Sequence, residues 1–126
     1  MHIAIIGGRE KNEVELTRIA AAAGHELEFQ NGNVAGRGGL AIASAVARAD
    51  LVVIVTDINS HLGVNAAKAH AKARHKPSLV INRLSGARLR GLISALDRRQ
   101  ELSWLSQLNV TERQRALQSE LNGRAA

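Results

Sequence analysis

Residues Leu51 to Val55 read L-V-V-I-V, an unbroken apolar run rich in β-branched side chains. A strand with one face in water alternates polar and apolar residues, so a run without alternation implies burial on both faces. Burial on both faces needs helices above and below, which is the arrangement of a parallel sheet in an α/β domain. The run then changes character at once. Thr56, Asp57, Asn59, Ser60 and His61 follow, before an Ala-rich segment that carries Lys68. The most apolar strand of the chain therefore ends in its richest polar cluster.

The flanking segments continue the alternation. HIAIIGG is a short apolar run closed by Gly7 and Gly8, as suits a buried parallel strand. EVELTRIAAAAGH has Val14, Ile19, Ala22 and Ala23 near helical spacing, with Gly24 in the place of a C-terminal cap. ELEF reads as a second strand, and QNGNVAGRGG, with its four glycines, as a flexible loop. Helices are expected over Leu40 to Arg48, His61 to Arg74 and Gly86 to Arg98, with a fourth strand, PSLVIN, entered through Pro77. A last helix is expected near NVTERQ, with Thr111 as its N-cap.

Strands alternating with helices give a small doubly wound, Rossmann-like sheet of about four parallel strands. Its size suits the flavodoxin or response-regulator kind, with strand order 2-1-3-4. Residues 1–99 form the α/β domain in this reading, and residues 100–126 a C-terminal helical extension. In that order the winding reverses between the first and third strands, and ligands in such sheets bind beyond the carboxyl ends at the reversal. GGREKN and TDINSHLG are the two loops at that place, so they are expected to be neighbours in space.

Composition narrows the chemistry. With no cysteine there is no disulfide, thiolate metal site or cysteine nucleophile, and a reducing cytoplasm is the expected setting. The N-terminus has no basic lead and no long apolar run, so neither a signal peptide nor a membrane span is expected. Phe29 and Trp104 are the only aromatic residues, too few for the stacking platforms of single-strand binders. Residues 1–50 hold 5 basic and 6 acidic groups, whereas residues 83–126 hold 8 arginines against 4 acids. Arg83, Arg88, Arg90, Arg98 and Arg99 could hold phosphate or nucleic acid, but a solvated basic face explains the charge about as well, and without aromatics or a reading helix a nucleic-acid partner is not favoured.

Gly7-Gly8-Arg9 would let backbone amides approach an anion, although GGREKNEVEL has neither the dinucleotide fingerprint nor the phosphate-loop ending. A tight strand-to-helix turn accounts for the glycines equally well. In the polar cluster, Asn59 or Ser60 can cap the following helix, a routine duty. Capping does not call for Asp57 and His61 as well, and a histidine at that place suits a metal or haem ligand or a general base. His61, Asn65, Lys68 and Lys72 share one helical stripe while Val64, Ala67 and Ala71 share another; Lys68 could reach an anionic ligand held over His61, and a solvated charged face accounts for the polar stripe equally well. No metal-binding motif and no nucleophile elbow is present.

IIGGRE, the Asn31-Gly32 pair, ADLVVIVTDINSH and KAHAKARHKPSLVINRLSG together resemble a bacterial family catalogued as domain of unknown function 2325. The resemblance covers about residues 1–96, and its most specific part is D-x-x-S-H with a lysine seven residues on. It implies a receiver-like α/β sheet, with Gly7, Gly8, Asp57, Ser60, His61, Lys68 and Ser85 at favoured positions. Many members carry histidine before the glycine loop, where this chain reads Phe29-Gln30-Asn31-Gly32. The expectation is a non-enzymatic ligand-binding or sensor module, with haem on His61 and Arg9 or Lys68 at its propionates. The alternative is a nucleotide or phosphorylated-metabolite binder using Gly7, Gly8, Asn31-Gly32 and Lys68. Leu102, Trp104, Leu105 and Leu117 suggest a homodimer contact or a helix packed on the domain.

Overall fold

The computed structural model describes residues 1–99 together with Gln118. The expected helix near Thr111 and the contact expected of Leu102, Trp104, Leu105 and Leu117 lie outside the described residues. Four parallel strands, β1 (His2–Ile6), β2 (Glu26–Gln30), β3 (Leu51–Val55) and β4 (Ser78–Ile81), form one sheet in the order β2-β1-β3-β4. Helices α1 (Glu13–Ala22), α2 (Gly38–Arg48), α3 (His61–Ala73) and α4 (Gly86–Arg99) connect and follow them. No described helix is long and apolar enough to cross a membrane.

All five residues of β3 are buried, as an uninterrupted apolar run requires. Its side chains divide between two cores. Leu51, Val53 and Val55 join Ile3, Ile5, Leu16, Leu89 and Leu92 on the face covered by α1 and α4. Val52 and Ile54 join Ala4, Ile6, Ile42, Val46, Ala67 and Ala71 on the face covered by α2 and α3. Each fully buried Val, Leu or Ile contributes about 1.5–3 kcal/mol of hydrophobic stabilisation, so β3 anchors both layers at once. With α1 on one face and α3 on the other, the winding reverses between β1 and β3.

Local chemistry sets the helix starts. Ser60 caps α3 by accepting from the Gly63 amide at 2.9 Å, and Ser85 accepts from the Arg88 amide at 3.2 Å in the first turn of α4. Glu13 and Glu15 lie in the first turn of α1, where negative charge suits the helix dipole. Helix α2 begins at Gly38, two residues before the expected Leu40. The loop ahead of it is more ordered than its glycine content suggests. Asn31 Oδ1 accepts from the Asn33 amide at 3.0 Å and Asn33 Oδ1 from the Ala35 amide at 2.9 Å, two successive Asx turns. Gly38 is needed there, because a Cβ would lie 1.8 Å from the Asn33 carbonyl oxygen.

Candidate functional site

At the carboxyl end of the sheet the loops after β1 and β3 meet. The Gly8 amide donates to the Ile58 carbonyl at 2.9 Å, which brings the two loops together as expected. Asn59 is the centre of this junction. Its Nδ2 donates to the carbonyls of Val55 at 2.8 Å and Ile6 at 3.2 Å, the last residues of β3 and β1. Its Oδ1 accepts from the Ser60 amide at 2.8 Å. Three glycines, two from the loops after β1 and β2 and one from the first turn of α3, surround the side chain. A Cβ at Gly32 would lie 1.6 Å from Asn59 Oδ1, one at Gly63 2.5 Å from the same atom, and one at Gly7 2.5 Å from Nδ2. The crevice at the reversal point is thus filled by an asparagine.

The residues singled out from the sequence take different parts in this junction. Gly7 and Gly8 have φ of 95° and 90°, values that favour glycine. Their amides are already donated, Gly7 to the Gln30 carbonyl at 2.8 Å and Gly8 to Ile58, so they do not form a free anion cradle. Ser60 accepts from Gly63 and donates to the Gly32 carbonyl at 2.7 Å, tying α3 to the loop after β2. Asp57 works on the other side of β3. Its Oδ1 accepts from the Ile58 amide at 2.8 Å, and Oδ2 lies 3.6 Å from Arg83 Nε after β4. His61 and Lys68 are both exposed on α3.

An open cleft of about 170 Å³ lies one strand away, between the ends of β1 and β2. Gly7, Gly8, Arg9, Glu13, Phe29, Gln30 and Asn31 line it, whereas Asp57, Ser60, His61 and Lys68 do not. Phe29 is half-buried and packs against the core of the α1 face. Among the described residues, neither the Arg9 guanidinium nor the Glu13 carboxylate has a hydrogen-bond or ion-pair partner. Glu13, Phe29 and Gln30 were not read as site residues from sequence. Their position at the ends of the first two strand-to-helix connections was the available signal.

The other titratable clusters lie away from these loops. At the amino end of β1, His2 contacts Glu26 at 3.1 Å and Glu28 at 2.9 Å, while Arg48 also pairs with Glu28. The hydrogen bond from Arg48 and the contact with His2 hold the Glu28 carboxyl down at about 2. Glu28, and to a lesser degree Glu26, raises the His2 imidazole above its ordinary 6.5. A second histidine, His25, joins the terminal amine of Met1 to Asp97. Among the described residues no three His, Asp or Glu side chains converge to hold a metal ion. A broad, open groove between α1 and α4, walled by Ile19, Ala22 and Ile93 with Arg18 and Arg90, is a separate feature of the outer surface.

No curated protein and no solved structure matches the chain. One family does. The sequence model described as "uncharacterized protein conserved in bacteria (DUF2325)" matches residues 2–96, which include all four strands and the loops that build the cleft. The chain belongs to the DUF2325 family of bacterial proteins.

Proposed function

We propose that the protein is a non-enzymatic binding module that takes a small polar ligand in the cleft between β1 and β2. The observation that carries this reading is the pair of uncommitted charges, Arg9 and Glu13, beside Phe29 in one cleft at the carboxyl end of the sheet. That end is where open α/β sheets hold ligands. Size then selects among ligands. Sites for drug-sized molecules have volumes of roughly 300–1,000 Å³, so a cleft of about 170 Å³ encloses something smaller than a nucleotide. The internal use of the Gly7 and Gly8 amides also weighs against a phosphate cradle.

Haem does not fit this cleft, which is too small for a porphyrin and has no histidine in its wall. His61 stands exposed at the start of α3 with no partner among the described residues, and its helix neighbour Leu62 is exposed as well. That surface offers an axial ligand without an enclosing slot. Chemical-shift mapping with pooled small metabolites tests the proposal. The expected result is perturbation of the Gly7, Gly8, Phe29 and Asn31 amides, and perturbation confined to other regions would overturn it. A Soret band that is lost in His61→Ala would instead favour haem.

A further inference from the structure

The cleft reading above can be taken one step further, to the chemistry of the ligand. Arg9 and Glu13 line the same small space with opposite charges, yet they do not pair with one another or with any described neighbour. A simple anion drawn to Arg9 would face the Glu13 carboxylate. A simple cation drawn to Glu13 would face the Arg9 guanidinium. Either ligand meets a like charge within one cleft, whereas a molecule carrying both charges meets a complement at each end.

We propose that the cleft binds a free α-amino acid or a comparably compact zwitterion, its carboxylate on Arg9 and its ammonium on Glu13. The planar guanidinium suits a carboxylate, because two parallel N–H groups can donate to its two oxygens. Glu13, as the first residue of α1, is held by the helix, while Arg9 sits in the loop that leaves β1. Phe29, backed by the core, lines the cleft and is the apolar residue there for a ligand side chain to meet. The volume agrees. At about 170 Å³ the cleft is smaller than the roughly 300–1,000 Å³ sites of drug-sized molecules, as suits a compact ligand.

Calorimetric titration of the full-length protein with each of the twenty amino acids tests this. At least one with an apolar side chain should bind. Its des-amino acid and its decarboxylated amine should each bind ten-fold or more weakly. Arg9→Ala should abolish binding of the amino acid and Arg9→Lys should restore part of it, while Glu13→Gln should equalise the amino acid and its des-amino analogue. Circular dichroism of each variant establishes that it is folded. Equal binding of the des-amino acid to the wild-type protein would overturn the zwitterion and leave an anion site. If no amino acid binds while another metabolite perturbs the cleft amides, the ligand class falls but the binding module stands. Absence of any perturbation by the metabolite pools overturns both.

Discussion

Strand β1 has a neighbour on each side, and the crevices at its carboxyl end are built in opposite ways. Toward β3 the space is closed. Asn59 fills it, bonds the last carbonyl of each strand, and is surrounded by Gly7, Gly32 and Gly63. Toward β2 the space stays open, walled by Arg9, Glu13 and Phe29. The same loop borders both. Gly7 meets the closed side, where close approach to Asn59 demands the absence of a Cβ, and Arg9 two residues on faces the open side. A reversal point therefore guarantees that loops converge, but the side chains in those loops decide which crevice is left for a ligand.

Gly32→Ala should have the largest effect on this contrast, because its new methyl would occupy the place of Asn59 Oδ1. We expect a loss of about 3 kcal/mol in denaturant unfolding, from overpacking and displacement of bonded polar groups. A loss below about 1 kcal/mol would mean that the closed crevice yields easily. Asn59→Ala comes next, at about 2 kcal/mol, since the Ile6 and Val55 carbonyls lose their side-chain donor. The double variant should cost less than the sum of the two, because removing Asn59 removes the atom with which the alanine collides.

On the open side, Arg9→Ala should change stability by no more than about 0.5 kcal/mol, as an exposed side chain without a partner among the described residues. The same substitution should remove ligand binding, and a stability loss comparable to that of Asn59→Ala would erase the contrast between the crevices.

The smallest effect belongs to the opposite end of the sheet and serves as a control. Glu28 titrates at about 2 instead of 4.5, so its stabilising contribution is present above about pH 4.5 and is lost as pH falls toward about 2. His2 is raised, so its contribution is present below 6.5 and is lost as pH rises through the raised value. Thermal unfolding should therefore show a shallow maximum between about pH 4.5 and 6.5, kept small by solvent screening. Glu28→Gln should flatten both limbs without altering ligand binding at the cleft. A change in binding would show that the two ends of β1 are coupled.

Much of the architecture was legible because it rests on periodicity. The L-V-V-I-V run implied a strand buried on both faces, and Ser60 stood where a cap was needed, as the bond from Gly63 shows. Val64, Ala67 and Ala71 turned inward and Asn65, Lys68 and Lys72 outward on α3, as their spacing required. Reading the site was harder. Asp57 and His61 looked surplus to capping, yet Asp57 is occupied with Ile58 and Arg83, and Asn59, which seemed an ordinary capping candidate, joins β1 to β3. The loop glycines looked like flexibility, whereas Gly32 and Gly38 are places where a Cβ would collide.

By itself the sequence determined the family, the alternation of strands and helices and the end of the sheet at which the polar loops gather. Those properties depend on residues close together in the chain. Only the tertiary structure decided that the crevice beside β3 is closed and the one beside β2 is open. That choice depends on contacts such as Asn59 with Ile6, 53 residues away, and Ser60 with Gly32, 28 residues away. No local pattern encodes them, because each arises only after the strands have paired and their loops have been brought to one end of the sheet.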